Sequence, residues 1–507
     1  MSSPIYLDAL LFGLVLTLFF TFYLRPKRPS LPCPPSPKSE FLIGHARVIP
    51  LQREWEVFSQ WSKDLNSDIV HAEVLGRHIV VLNSMEAAVD LLDKRSANYS
   101  DRPDLTMLND DNLMGWGQNT VTRRYDEGWR QARRLIHQRF SKTAVQELWP
   151  IQEQEALTFL QKLLADDKRF MRTFREAAAS SVMMATYGYK PLPKDDPFVT
   201  RSEIMVEALA RAGLPTNYLV NIFPVLRHVP KWFPFATFKR ECDKWRALRD
   251  QVVDEPLEWV QTQLDKGVAL PSFSSLLLQQ YGKDPVQYDT IKWAAGTMFA
   301  AGSDTTICAM ATFFLAMQLY PEVQRKAQEE LDAVVGSNRL PNMQDMNHLP
   351  YIRCIVKEVL RWIPAVPLGI PHASIDEDVY RGYRIPAGSI VMGNVWAITR
   401  NPEVYPDPEM FNPDRFLDGT VPDAPVFGFG RRICPGQFFA ESSLLLAISH
   451  VLLTMNIEKE LGPDGKEIVP PVETTGDSLL CIPKEFGLRL IPRSKAALDL
   501  ISTSSSS

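Results

Sequence analysis

The chain lacks the features that mark several protein classes. Its six cysteines, Cys33, Cys242, Cys308, Cys354, Cys434 and Cys481, are scattered through 507 residues with no paired spacing. That argues against a disulfide framework or a zinc site and suits a reducing compartment. Positive charge is not in excess. The 55 Lys and Arg face 60 Asp and Glu, a net charge of -5, which argues against nucleic acid as a partner. No low-complexity linker interrupts residues 41–493, so one large domain is expected where length alone suggests two or three. No nucleotide-binding segment is present. What the chain does have is apolar residues, 45%, enough for a core that encloses a cofactor, and 39 prolines gathered into particular loops.

Residues 5–24 are nearly all apolar, with Asp8 the exception. Twenty helical residues span the ~30 Å hydrocarbon core of a bilayer. No Lys or Arg precedes the run, while Arg25, Lys27 and Arg28 follow it, which leaves the rest of the chain on the cytosolic side. A cleaved signal peptide is the competing reading, but the charges lie on the wrong flank for it. Prolines 26, 29, 32, 34, 35 and 37 then read as a stiff spacer over 25–40.

The pattern over 69–82, broken by Gly76-Arg77, predicts a hairpin. Ser84 is a candidate cap for a short helix to 92. Residues 129–140 form a basic helix on which Trp129 and Arg133, four apart, share a face. The neighbouring Arg123, Arg124, Arg130, Arg134, Arg139 and Lys142 make this segment basic in an acidic protein. The pattern over 160–187 is helical. Residues 214–238 mix prolines with Trp232, Phe233 and other aromatics, which suggests contact with a bilayer surface. Residues 288–319 read as one long buried helix carrying Ala301-Gly302-Ser303-Asp304-Thr305-Thr306. Asp and Thr are costly in an apolar helix unless satisfied or functional. A lone Thr would be read as bonding back to its own helix carbonyl. Residues 351–362 form a helix with Glu358 and Arg361 on one face.

The sharpest signal is Cys434, in Phe427-Gly428-Phe429-Gly430-Arg431-Arg432-Ile433-Cys434-Pro435-Gly436, directly before an apolar stretch at helical spacing. A glycine-bent loop here delivers a thiol to a helix N-terminus, which favours the thiolate. Exposed backbone amides beside it can bond the sulfur and tune a metal it holds.

This loop resembles the haem-binding loop of the cytochrome P450 family. Three further motifs, in the same order and at comparable spacing, extend the resemblance over essentially the whole chain. They are Trp129-x-x-x-Arg133, the 301–306 segment, and Glu358-x-x-Arg361 with Pro413-Asp414-Arg415-Phe416. Ser100-Asp101-Arg102-Pro103 and the 230–234 run look most like monooxygenases of fungal secondary metabolism. The resemblance implies a mainly α fold with small β-sheets (α+β), the cytochrome P450 fold preceded by one N-terminal transmembrane helix. It divides the chain into an anchor (5–24), a hinge (25–40), a catalytic domain (41–496) and a disordered tail (497–507).

The same resemblance implies a site. Cys434 becomes the axial ligand of haem b, with Phe427 near the sulfur and Gly436 beside it. Arg432, Trp129 and Arg133 hold the haem propionates. His372 is a candidate third donor, or a plain surface histidine. Asp304 and Thr305 direct protons, and Gly302 leaves room for dioxygen. Ala301, Ala365, Val366 and Leu368 are candidate pocket walls, and Glu358, Arg361 and Arg415 form a structural triad. The implied partners are NADPH-cytochrome P450 reductase, which passes electrons from NADPH, the lipid bilayer of the endoplasmic reticulum, and an apolar small-molecule substrate. Two rivals are a haem-thiolate isomerase or dehydratase needing no reductase, and a non-enzymatic haem or lipid carrier.

Overall fold

The computed structural model describes residues 31–503 except 51, 166, 193, 214–216, 235 and 476–478. The expected anchor (5–24), the first hinge residues (25–30) and residues 476–478 and 504–507 lie outside the described residues. Among the described residues, twelve helices have nine or more residues. They are α1 (Glu54–Asp64), α2 (Glu127–Phe140), α3 (Trp149–Ala165), α4 (Phe170–Tyr187), α5 (Pro197–Ala212), α6 (Thr237–Asp265), α7 (Phe273–Tyr281), α8 (Pro285–Leu319), α9 (Pro321–Val334), α10 (Pro350–Trp362), α11 (Gln437–Thr454) and α12 (Lys495–Thr503). The strands are β1 (Ile69–Val74), β2 (Arg77–Leu82), β3 (His372–Ala373), β4 (Asp378–Tyr380), β5 (Tyr383–Ile385), β6 (Ile390–Gly393), β7 (Met455–Lys459) and β8 (Leu488–Pro492).

Local chemistry sets the helix boundaries. Asp196 and Asp284 accept hydrogen bonds from the first free amides of α5 and α8, and each is followed by a proline at the first helical position. Pro321 opens α9 directly after α8 ends. Asp126 caps α2 by accepting from the Trp129 amide at 2.7 Å. Ser84 caps Met85–Ala88 as expected. The 160–187 pattern, read as one helix, is two: α3 and α4 break around 166–169. Both halves bury an apolar stripe, so periodicity ran through the break unseen.

The longest helix, α8, is the axis of the molecule. Its C-terminal half is buried almost all round, from Ile307 to Gln318. It packs on α4 and α11, and α2 and α10 also touch it. Phe314 of α8 lies 4.8 Å from Phe174 and 6.4 Å from Phe170 of α4, ring centre to ring centre. Both α8 and α11 are apolar enough to cross a membrane by length, yet 67% and 61% of their most apolar windows are buried inside the protein. They are core helices.

The main sheet has the order β1-β2-β6-β3. β1 and β2 form the expected hairpin, with Ile69 opposite Leu82. β2 runs parallel to β6, and β3 pairs antiparallel with β6, His372 opposite Val391. The register fixes His372 in the sheet rather than in a loop.

Two expectations about the chain ends change. The proline segment is not a free spacer over its described residues. The Pro35 carbonyl accepts from the His71 amide at 2.9 Å, and the Pro32 carbonyl accepts from the Arg384 amide at 2.8 Å. Prolines cannot donate to a ladder but can accept from one. The tail expected to be disordered from 497 begins as α12, with Ala497 and Ile501 buried. An apolar face at helical spacing was present there and went unread.

The aromatic stack between α4 and α8 sets a stability expectation. Phe314→Ala should cost about 3–5 kcal/mol, as for other buried Phe truncations. Chemical denaturation of the cofactor-loaded protein measures it, and a loss below about 1 kcal/mol would contradict the packing described.

Candidate active site

The Cys434 loop leaves the body of the protein through two left-handed glycines, Gly428 (φ 82°) and Gly430 (φ 52°). A side chain at 430 would also run into the Leu92 carbonyl. The loop closes on itself: the Cys434 amide donates to the Phe427 carbonyl at 2.8 Å. Phe427 thus supports the cysteine through its backbone. The sulfur accepts from the amides of Gly436 and Gln437, at the first turn of α11.

The electrostatics depart from expectation. Burial pushes the Cys434 thiol up, and the Gly436 and Gln437 amides and the Arg133 charge only partly offset it. The helix N-terminus alone does not make a thiolate here. A bound cation at the sulfur would reverse the balance, because a coordinated thiol is deprotonated.

Beside the loop lies a group of positive side chains. Arg102 and Arg432 are buried and Arg133 is half-buried. Arg432 stacks over Trp129 at 4.2 Å, and Arg133 lies over the same ring at 5.7 Å. Arg432 donates from Nε to the Ser100 carbonyl at 2.7 Å and from Nη2 to the Arg123 carbonyl at 2.8 Å. Arg102 donates to the carbonyls of Val121, Ile370 and Pro371 at 2.7–2.9 Å. Among the described residues none of the three has a carboxylate ion-pair partner. Asp101, the nearest acid, is taken by Arg124 at 2.6 Å. Burial and mutual repulsion hold Arg432 down to about 10 and push Arg102 well below its ordinary value. Burial also lowers Arg133.

His372 belongs to this group. It is buried, so the surface reading fails. Its Nδ1 bonds the Tyr99 carbonyl at 2.7 Å. Burial, with Arg102 and Arg432 nearby, keeps it neutral. Uncompensated buried charge is costly. A thiol with two amides on its sulfur, beside three arginines that lack a carboxylate, fits a flat metal cofactor carrying two anionic arms. Arg102 was missed as a site residue in the sequence. Its signal was Asp-Arg-Pro at the start of an aperiodic loop, where an arginine reads as solvated.

The face of α8 opposite its core stripe is open. Ala301 is exposed, and Asp304 and Thr305 are partly so. Thr305 Oγ1 donates to the Ala301 carbonyl at 3.1 Å, and Thr306 Oγ1 to the Gly302 carbonyl at 2.8 Å. The bland expectation of back-bonding therefore holds at rest, while the Thr305 lone pairs stay free. Gly302 does not supply the open room. A Cβ there would meet Val182 of α4 at 2.9 Å, so its smallness serves helix contact. Ala301, one full turn before Thr305, keeps that face low. Burial pushes the Asp304 carboxyl up, and Arg175 of α4 partly offsets it. Glu203 of α5 feels the Asp304 charge in turn.

The segment 363–372 runs past this interior. Ala365 and Val366 are half-buried, but Leu368 is packed into the main core and is a weaker wall than expected. The Ala365 carbonyl accepts from the Cys481 amide at 2.9 Å, which ties the chain at 481 to this segment. Met107, Leu108, Leu113, Met114 and Trp116 of the aperiodic loop are fully buried against α5 and α6.

Below the loop, Glu358 and Arg361 are wholly buried and form a bidentate pair, Nε–Oε2 2.7 Å and Nη2–Oε1 2.8 Å. Arg415 Nε reaches Glu358 Oε1 at 3.3 Å. The remaining donors go to carbonyls of Thr399, Pro406, Pro408 and Met410. A segment with little periodicity of its own is thus held by one charge network.

Comparison with known proteins agrees with this geometry. The cytochrome P450 family model matches residues 34–489. A cytochrome P450 monooxygenase of Armillaria gallica is 37% identical over 484 residues, covering 94% of both chains. The monooxygenase COX2 of Coprinopsis cinerea is 40% identical over 480 residues, 92% of this chain and 90% of that one. A solved zebra fish cytochrome P450, in complex with abiraterone, superposes with a TM-score of 0.69 at 22% identity, covering 87% of this chain and all of that one. The chain belongs to the cytochrome P450 family. It has the P450 fold and is a monooxygenase, an oxidoreductase whose family uses haem.

Two substitutions separate the site's layers. Glu358→Ala strands two buried arginines and should cost about 3–5 kcal/mol, with loss of folded, cofactor-loaded protein. Arg102→Leu removes one anion-binding arm and should leave the fold while lowering the haem-to-protein ratio. Thermal denaturation and pyridine haemochrome titration read the two effects apart.

Proposed function

We propose that this protein is a haem-thiolate monooxygenase in which the Cys434 thiolate would hold the iron of haem b. It inserts one atom of dioxygen into an apolar small molecule by hydroxylation or epoxidation. The observation that carries the reading is the half-buried thiol, bonded by the Gly436 and Gln437 amides, beside Arg102, Arg133 and Arg432, none of which is ion-paired to a carboxylate among the described residues. Haem supplies dioxygen binding and activation when bound. The chain's own residues do the rest. The three arginines and His372 Nε2 would hold the two propionates, with Arg forks suited to carboxylates. Trp129 keeps Arg133 and Arg432 stacked and oriented. Ala301 keeps the distal face of α8 open, and Ala365 and Val366 present an apolar wall to the substrate.

Thr305 and Asp304 serve proton delivery. Thr305 Oγ1 would accept a proton on a lone pair and, on releasing its bond to the Ala301 carbonyl, donate its own proton inward. Asp304, whose carboxyl is pushed up by burial, holds a proton to higher pH than an exposed aspartate. Arg175 and Glu203 link it outward.

Electrons come from NADPH through NADPH-cytochrome P450 reductase. The α2 segment supports this docking, though less simply than its composition suggested. Arg124, Arg130, Arg134 and Arg139 are partly neutralised by Asp101, Glu127 and Glu147. Exposed Arg431 and Lys142 add positive charge to the same face. Trp232, 78% exposed, and the exposed Phe233 support contact of this loop with the bilayer of the endoplasmic reticulum, in line with an anchor at 5–24. The relatives are fungal monooxygenases, and the likeness of Ser100-Asp101-Arg102-Pro103 and the 230–234 run to monooxygenases of fungal secondary metabolism supports a terpenoid or polyketide substrate.

The reduced carbon-monoxide difference spectrum is the first test. The wild type should show the red-shifted band of a cysteinate-ligated haem, and Cys434→Ala should lose it. With reductase and NADPH, Thr305→Ala should keep the band but uncouple NADPH use from product. Asp304→Asn should slow turnover by roughly 10²-fold, the usual size of a lost proton-transfer group. Full coupling in Thr305→Ala would remove Thr305 from proton delivery. Turnover without any reductase would favour the isomerase reading.

A further inference from the structure

Far from the cysteine loop, the outer part of the main sheet carries a second group of ligating side chains. Cys33 Sγ, His71 and His78 present three ligand atoms that all lie within 4.8 Å of one another. The placement follows from the register. His78 stands directly opposite Glu73 across the β1–β2 hairpin, and His71 is two residues before Glu73 on the same strand. Side chains two apart, and those opposite, share one face of a hairpin. Cys33 arrives over that face from the proline segment, which is pinned there by the Pro32 and Pro35 carbonyls.

His71 Nε2 and His78 Nδ1 are 3.0 Å apart, and their rings stack at 5.2 Å with a 27° tilt. Two imidazole nitrogens and a thiol converge in a half-buried place where a sheet face ordinarily carries apolar or β-branched side chains. In a tetrahedral zinc site, Zn–N of about 2.0–2.1 Å and Zn–S of about 2.3 Å put neighbouring ligand atoms roughly 3.3–3.6 Å apart. The two nitrogens need to part by only a few tenths of an ångström. The surroundings complete the donor set. Arg384 bonds the Cys33 sulfur and is itself held by Glu377 at 2.7 Å. Glu73 is half-buried and has no ion-pair partner among the described residues. One thiolate and one carboxylate balance a divalent charge.

We propose that Cys33, His71 and His78 bind one zinc ion, with water in the fourth position and the Glu73 carboxylate as counter-charge. Binding releases the Cys33 thiol proton and moves the shared imidazole proton to an outer ring nitrogen, so each ligand offers a lone pair. The ion fastens residues 32–35 to β1 and β2 and so fixes the direction in which the preceding chain leaves the catalytic domain. A site of one thiolate and two imidazoles suits zinc or copper. The adjacent carboxylate, an oxygen donor that zinc accepts beside Cys and His, favours zinc. The proposal is independent of the haem reading.

The test uses the full-length, haem-loaded protein. It is stripped with a chelator, dialysed against zinc, and assayed for metal content. The expected result is one zinc per chain. Zinc K-edge absorption should show one sulfur scatterer at about 2.3 Å with nitrogen or oxygen at about 2.0–2.1 Å. Cys33→Ser and His78→Gln should each weaken zinc binding at least about 100-fold, while Cys242→Ser, a buried thiol elsewhere, should not. An unchanged haem spectrum shows that each variant is folded. Zinc should also slow alkylation of Cys33 about 100-fold at a free concentration 100 times Kd. Wild type without stoichiometric zinc, a zinc edge without sulfur, or zinc retained by both variants would each overturn the proposal.

Discussion

Buried positive charge with no ion-paired carboxylate among the described residues is the constraint around which the catalytic end is built. Arg102, Arg133 and Arg432 come from three distant parts of the chain and meet around Trp129 and His372. Carbonyls satisfy many of their donors, yet carbonyls do not cancel charge. Burial accordingly depresses all three arginines. Such an arrangement persists when an anion completes it, and the loop that holds Cys434 lies against the same arginines. The cofactor is thus part of the electrostatic balance of the fold as well as its chemical centre.

The scaffold that keeps this arrangement in place uses charge in the opposite way. Glu358, Arg361 and Arg415 are buried but mutually compensated, and their spare donors go to main-chain carbonyls of the irregular 399–410 segment. That segment has no ladder of its own, so the network substitutes for one. One region of buried charge has no ion-paired carboxylate among the described residues, while its neighbour is self-sufficient.

Much of the site was legible because its motifs are local. A cysteine loop bent by glycines, an Asp-Thr pair in an apolar helix, and Glu-x-x-Arg each lie within ten residues, so spacing alone exposes them. The β1–β2 hairpin and the long α8 were legible for the same reason. Other features were not. Gly302 looked like room for a ligand, but Val182 decides its role. The helical pattern over 160–187 hid the break between α3 and α4, because both sides bury the same apolar stripe. The basic segment looked like a bare positive face, but Glu127 and Glu147 neutralise part of it. His372 could be read as surface or interior, and strand pairing with β6 settled it. The scattered cysteines argued against a zinc site, since no spacing in the sequence brings Cys33 near two histidines.

The sequence by itself determined the family, the thiol at the head of a buried helix, and the acid–alcohol pair on another. Each depends on neighbours along the chain, and short-range geometry follows from residue order. Only the tertiary structure decided which distant charges share one interior, that Arg102 lies beside Arg133 and Arg432, that the proline segment lies docked on the sheet, and that Cys33 stands over His71 and His78. These depend on strand register and helix packing, in which residues hundreds of positions apart become neighbours. Spacing in the sequence carries no information about such pairs.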